Sequence, residues 1–139
     1  MTVGAGSIMI VEDNPDDVHF VRRILRQFSV QLLSFASGQA ALDCLFDPNQ
    51  PLPSLVLLDL ILPQMHGFDV LRAIRHHSRT QDVPVVILTS SMQDKDALKY
   101  YLIGITAFLV KPVQFDDLLP ILTTAGIQQE GGGTRATAA

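Results

Sequence analysis

Tryptophan is absent, and cysteine occurs once, at Cys44. A lone cysteine forms no internal disulfide, so the fold must rest on its core rather than on covalent staples. Cys44 falls in an apolar helical pattern and is expected to pack there. Charged residues make up only 17% of the chain, and their balance is acidic, with formal net charge −4. That balance argues against nucleic-acid binding, whose footprint is a basic patch. No apolar run approaches the ~20 residues that span a bilayer, so no membrane partner is expected. The N-terminus has no basic stretch followed by an apolar one, so no secretory leader is expected. These lacks fit a cytoplasmic protein. What is present is a chain of 139 residues, 47% apolar, enough for one domain with its own core.

The most informative stretch runs from Ser54 to Gly67. Leu55 to Leu58 is unbroken apolar sequence between turn formers, which reads as a strand buried on both faces. Asp59 stands where that strand ends. A buried carboxylate needs a partner, so Asp59 either emerges into a polar site or is an inconsequential loop residue.

The rest of the chain alternates in the same way. Ser7 to Val11 is a short apolar run ending in Glu12-Asp13. Asn14-Pro15 is a helix cap followed by proline at the first helical position. Asp16 and Asp17 occupy the first turn and complement the positive helix end. Val18, Val21, Leu25 and Phe28 recur at helical spacing. Val30 to Phe35 reads as strand, and Ser37 caps a helix carrying Ala41, Leu42, Leu45 and Phe46. Asp47 to Pro53 holds three prolines and reads as a loop. Gly67 to His77 is helical, with Val70, Leu71 and Ile74 inward. Val83 to Leu88 is a strand running into Thr89-Ser90-Ser91. Asp94 to Ile103 is a helix stopped by Gly104, with Ala97, Leu98, Tyr101 and Leu102 on one face. Thr106 to Val110 is the fifth strand, followed by Lys111-Pro112. The last helix spans Gln114 to Ala125, and Pro120 should kink or shorten it. Residues 1–6 and 128–139 are expected to be flexible ends around one domain at 7–127. Arg72, Arg75, Arg79 and the pair His76-His77 read as solvated surface. One of Tyr100 and Tyr101 should be core and the other an interface residue.

Five apolar strands alternating with five amphipathic helices give an α/β fold, a parallel sheet covered on both faces. In open sheets of this kind the ligand site lies beyond the carboxyl ends of the strands. Those ends offer Glu12, Asp13, Asp59, Thr89 and Lys111. Carboxylates from two strands suit Mg²⁺, a hard cation that takes oxygens. Without metal, clustered carboxylates repel, and at least one pKa should rise. A lysine ammonium and a threonine hydroxyl suit a phosphoryl group. A carboxylate beside Mg²⁺ can accept that group as an aspartyl-phosphate. Each residue alone also fits a bland role as a cap, a solvated turn or a surface lysine. Together, in order, they are specific.

With these motifs the sequence resembles the receiver domain of two-component response regulators. The resemblance covers about residues 7–125. It rests on Val11-Glu12-Asp13-Asn14, on Leu57-Leu58-Asp59 with Pro63 and Gly67, on Leu88-Thr89-Ser90, and on Phe108-Leu109-Val110-Lys111-Pro112. It implies a doubly wound, flavodoxin-like five-stranded sheet in the order 2-1-3-4-5. It implies Asp59 as phosphoacceptor, and Mg²⁺ on Asp13, Asp59 and the Ile61 carbonyl, with Glu12 joining through water. It implies phosphoryl binding by Thr89 and Lys111, a switch made of Thr89 and Phe108, and a cis peptide between Lys111 and Pro112. The implied partners are a sensor histidine kinase and a second copy, met through the fourth helix, fifth strand and fifth helix. The run from Val11 to Val18, with the proline-containing loop before the third strand, is similar to the stand-alone regulators paired with bacterial phytochromes.

The chain departs from the family pattern at His66, where Asp is common, at Ile105, where a small residue is usual, and at Pro120. The main expectation is a stand-alone bacterial receiver that catalyses only its own phosphorylation and dephosphorylation, and signals by contacts or drains a kinase as a phosphate sink. Two alternatives stand beside it. One is a pseudo-receiver acting as a constitutive binding module. The other is a Mg²⁺-dependent phosphatase of the haloacid dehalogenase type, which would need a second Asp where Ile61 stands.

Overall fold

The structure, a computed structural model, describes residues 6–90 and 94–130. Ten elements alternate along the chain: β1 (Gly6–Val11), α1 (Pro15–Leu25), β2 (Val30–Phe35), α2 (Gly38–Phe46), β3 (Leu55–Asp59), α3 (Gly67–His76), β4 (Val85–Thr89), α4 (Asp94–Ile103), β5 (Ala107–Val110) and α5 (Phe115–Thr124). The strands form one parallel sheet in the order β2-β1-β3-β4-β5. The order reverses between β1 and β3, and a ligand crevice opens at such a reversal.

Period-2 alternation along each strand sorts the core into two layers. Met9, Val11, Val56, Leu58, Val85 and Ile87 face α2 and α3, and meet Ala41, Leu42, Leu45, Val70, Leu71 and Ile74. Ile8, Ile10, Leu55, Leu57, Val86 and Leu88 face α1 and α5, and meet Val21, Leu25, Leu118 and Leu122. All five residues of β3 and of β4 are buried, as continuous apolar runs in a doubly covered sheet require. Helix starts follow their caps. Asn14 Oδ1 accepts from Asp16 N at 2.9 Å, and Ser37 Oγ accepts from Ala40 N at 3.2 Å.

Several expectations need correction. The ordered domain is wider than 7–127. Gly6 pairs with Val30, and Gln129 bridges Phe28 while Ser29 N donates to the Gln128 carbonyl at 2.9 Å. Residues 1–5, Ser91 and 131–139, and the side chains of Ala97 and Leu98, lie outside the described residues. Among the described side chains of α4, Tyr100 is buried at 2% exposed, whereas Tyr101 and Leu102 are 50% and 77% exposed. Helix α5 runs through Pro120 to Thr124 without being shortened. Pro120 and Asp116 are both exposed, so water can serve the Asp116 carbonyl that proline leaves without a donor.

Arg75 and Arg79 are half-buried and bonded to backbone rather than forming a solvated face. Arg75 Nε donates to the Gly104 carbonyl at 2.9 Å and Nη1 to the Gln81 carbonyl at 3.1 Å. Arg79 Nε donates to the Leu45 carbonyl at 3.1 Å, and Nη2 to that of Gln50. Guanidinium forks thus satisfy carbonyls that helix ends and loops leave open. Arg72 and His76 are exposed as expected, but the His77 ring stacks on Phe46 with centroids 4.1 Å apart. Cys44 is half-buried at the core's edge. No helix among the described residues is long and apolar enough to cross a membrane.

Candidate functional site

The carboxyl ends of the parallel strands meet on one rim. Val11 pairs with Leu58, so the residues that follow on β1, Glu12 and Asp13, emerge beside Asp59. Carboxylate oxygens of Glu12, Asp13 and Asp59 lie within 4.8 Å of one another. Glu12 and Asp59 are buried, whereas Asp13 is exposed. Thr89 pairs with Val110, and Lys111 N donates to the Thr89 carbonyl at 2.7 Å, which fixes Lys111 at the same rim. Its ammonium lies 2.7 Å from Glu12 Oε1, 3.1 Å from Asp17 Oδ2 and 3.2 Å from Asp59 Oδ1. The peptide between Lys111 and Pro112 is cis.

This is a crowded acidic site balanced by one cation. Burial raises the Glu12 carboxyl above its ordinary pKa. The nearby Lys111 ammonium opposes that rise, and the Asp59 charge adds to it. The expected rise therefore falls on Glu12. Burial alone would lower the Lys111 pKa, but Glu12, Asp17 and Asp59 outweigh it and the pKa is raised. Glu12 Oε1 meets Lys111 by charge, without a well-aligned hydrogen bond, while Oε2 accepts from Asn14 N at 3.2 Å. A buried oxygen so placed, next to two more carboxylates, fits a hard divalent cation or a water on it.

Beside Asp59 opens a cleft of about 310 Å³, lined by Asp59, Ile61, His66, Thr89, Lys99 and Lys111 among others. The Ile61 side chain is exposed on the loop after β3. That loop holds Gln64 in the left-handed region at φ 66°, with Met65 N bonded to the Pro63 carbonyl at 2.7 Å. It closes on Gly67, whose N donates to the Leu60 carbonyl at 2.8 Å. A Cβ on Gly67 would lie 2.4 Å from the Asp59 carbonyl oxygen and 2.7 Å from Leu60 Cα. Both are backbone atoms, so the chain carrying Asp59 would have to move. Gly67→Ala is expected to cost about 2–3 kcal/mol in urea unfolding, within the range for overpacked sites. An unchanged midpoint would contradict this close approach.

The structure thus brings Glu12, Asp13, Asp59, Thr89 and Lys111 together. Phe108 lies two residues before Val110 on β5, half-buried. Its ring meets Tyr100 at 5.5 Å and Tyr101 at 5.4 Å between centroids, both edge to face. Two further residues belong to the site that the sequence does not mark as such. Asp17, which in sequence terms serves only the helix end, also holds Lys111. The signal lay in geometry, since helical side chains tilt toward the N-terminus and those of the first turn lean over the rim. His66 stands out in the sequence only as a departure from the family pattern. It caps α3, its Nδ1 accepting from Phe68 N at 3.0 Å, and it lines the cleft.

Comparison with known proteins agrees with this geometry. The family model described as "Response regulator receiver domain" matches residues 8–123. The chain is 36% identical over 116 residues to the probable methanogenesis regulatory protein FilR2 of Methanothrix harundinacea, covering 80% of this chain and 75% of that one. It is 31% identical over 121 residues to response regulator Rcp1 of Synechocystis, covering 83% and 82%. The crystal structure of the Mn²⁺-bound form of Rcp1 superposes with TM-score 0.72 at 30% identity, covering 86% and 90%. The bacteriophytochrome response regulator AtBRR superposes with TM-score 0.77 at 32% identity, covering 89% and 94%. The sheet order, the acidic cluster on its rim and these matches carry one conclusion: the chain belongs to the response regulator receiver domain family.

Proposed function

We propose that the chain accepts a phosphoryl group on Asp59 from a sensor histidine kinase, in the presence of Mg²⁺, and passes the signal on by protein contacts. The observation that carries this reading is the Lys111 ammonium, held against Asp59, Glu12 and Asp17 at the reversal point of the sheet. An Asp59 oxygen attacks phosphorus in line, the P–N bond to the donor imidazole breaks, and the imidazole leaves. Lys111 pairs with the incoming phosphoryl oxygens while Asp17 keeps hold of it, and the Thr89 hydroxyl donates to another of those oxygens. Asp13, Asp59 and the Ile61 carbonyl would hold the Mg²⁺, with Glu12 reaching it through water. Bound there, the ion offsets charge on the transferring group. The three clustered carboxylates and the metal-bound relative support this assignment.

Phosphorylation adds charge at Asp59, Thr89 moves toward it, and Phe108 turns into the space released. Its two tyrosine contacts support transmission of that turn to α4. Leu102, Tyr101 and Val110 leave an apolar surface across α4 and β5, which supports docking of a second copy through α4, β5 and α5. The resemblance to phytochrome-associated regulators supports a light-sensing kinase as donor, in a cytoplasmic setting that the single cysteine suits.

The test is intact mass after incubation with acetyl phosphate, with and without Mg²⁺. The expected result is one added phosphoryl group that depends on Mg²⁺, accompanied by shifted Phe108 ring resonances in NMR. No added mass with Mg²⁺ would count against the chemistry. Added mass with unmoved Phe108 signals would count against the switch.

A further inference from the structure

We propose that His66 is a further phosphoryl-contacting residue, whose Nε2–H donates to an oxygen of the group on Asp59 and prolongs its retention. The inference rests on Asp59 being the acceptor.

Three observations converge on this ring. His66 lines the cleft of about 310 Å³ in which a group on Asp59 must sit, together with Thr89 and Lys111. Its Nδ1 accepts from Phe68 N at 3.0 Å, so the proton of the neutral ring sits on Nε2, which makes that atom a donor. Its backbone is set by Gly67, which packs on the Asp59 peptide too closely for a Cβ. The cap thus holds the exposed ring on α3 through its Nδ1, and Gly67 holds the adjoining backbone against the Asp59 peptide. Lys99 also lines the cleft, with its Nζ 4.3 Å from the centroid of the Phe68 ring. On the α3 side of the cleft His66 offers a donor, backed by the positive end of its helix.

Loss of the group is attack of water on phosphorus with cleavage of the bond to the Asp59 oxygen. The Asp59 carboxylate leaves, and the proton of water goes to the released phosphate. A donor on the phosphoryl oxygens stabilises the loaded state, whereas a carboxylate in its place repels it. Asp and Asn both cap helices as acceptors, so His66→Asp and His66→Asn keep the Phe68 bond and differ in charge and donor capacity at the cleft.

The native chain and both variants would be loaded with acetyl phosphate and Mg²⁺. The donor is then removed, decay is followed by intact mass, and melting of each protein is recorded. The expected lifetime is about tenfold shorter than native for His66→Asn, which keeps the cap but loses the Nε2 donor, the scale of one hydrogen bond to a charged group, and shorter again for His66→Asp, whose charge repels the group, with melting unchanged. The His66 Nε2–H resonance should move downfield in the loaded native chain. Equal decay in all three loaded proteins would overturn the inference and leave Asp59 as acceptor. So would equal shortening in both variants with equal loss of melting temperature, the mark of a cap alone. A native chain that takes up no phosphoryl group would overturn the acceptor reading, and this inference with it.

Discussion

Asp59→Asn is expected to take up acetyl phosphate ~1,000-fold more slowly than the native chain, or not at all, equivalent to a barrier raised by about 4 kcal/mol. The amide has nearly the shape of the carboxylate but neither its charge nor its nucleophilicity. The fold should survive the change. Lys111 keeps Glu12 at 2.7 Å and Asp17 at 3.1 Å, and Asp59 belongs to a strand whose other residues are packed apolar side chains. Melting and circular dichroism would therefore match the native chain while uptake is lost. Retained uptake would move the acceptor elsewhere on the rim.

Lys111→Ala is expected to have the largest effect on stability, about 3 kcal/mol in denaturant unfolding, because it leaves buried carboxylates with no counter-charge. Glu12 and Asp59 are buried and would face each other across the lost ammonium, with Asp17 and Asp13 close by. Millimolar Mg²⁺ should restore much of the loss, since a cation bound by the folded state alone stabilises it by mass action. The variant should also accept phosphoryl groups poorly even with Mg²⁺, because the charge that pairs with the phosphoryl oxygens is gone. The native pairing has a defined pH window. Its partners raise the Lys111 pKa above the ordinary lysine value of 10.5, so the stabilisation is complete below that value. It is lost only as the pH climbs through the raised value, so it holds across the neutral range. A Lys111→Ala chain as stable as the native one, without metal, would contradict this balance.

Much of the site was legible because the fold writes it in order. Each buried strand is a short apolar run, and the residue that ends the run falls on the rim. Asp59, Thr89, Lys111 and the pair Glu12-Asp13 could be placed together from the assumption of a parallel sheet. The bounds of α4 were equally clear, since Gly104 takes φ +112° as a helix stop. Which side of α4 faces inward was not. Tyr100, Tyr101, Leu102 and Ile103 are consecutive apolar residues, and such a run carries no period by which to choose a face. Tertiary packing chose Tyr100, which sits edge to face between Phe68 and Phe108.

Arginines were misread for a related reason. Arg75 and Arg79 look like solvated charge in a sequence, and only the positions of distant carbonyls, at Gly104, Leu45 and Gln50, show what they bind. Asp17 and His66 illustrate a third limit. Asp17 has a local role at a helix start that accounts for it in sequence terms, and His66 reads there only as a departure from the family pattern. Only the fold brings that helix start over the acceptor.

The central claim is that Asp59 carries the phosphoryl group, and the most direct test locates it chemically. The native chain would be incubated with acetyl phosphate and Mg²⁺, reduced with borohydride, digested and sequenced by mass spectrometry. Reduction converts an aspartyl-phosphate to homoserine and leaves free carboxylates intact. The account predicts homoserine at position 59 alone, dependent on Mg²⁺. Homoserine at position 13 or 17, or at none, would contradict it.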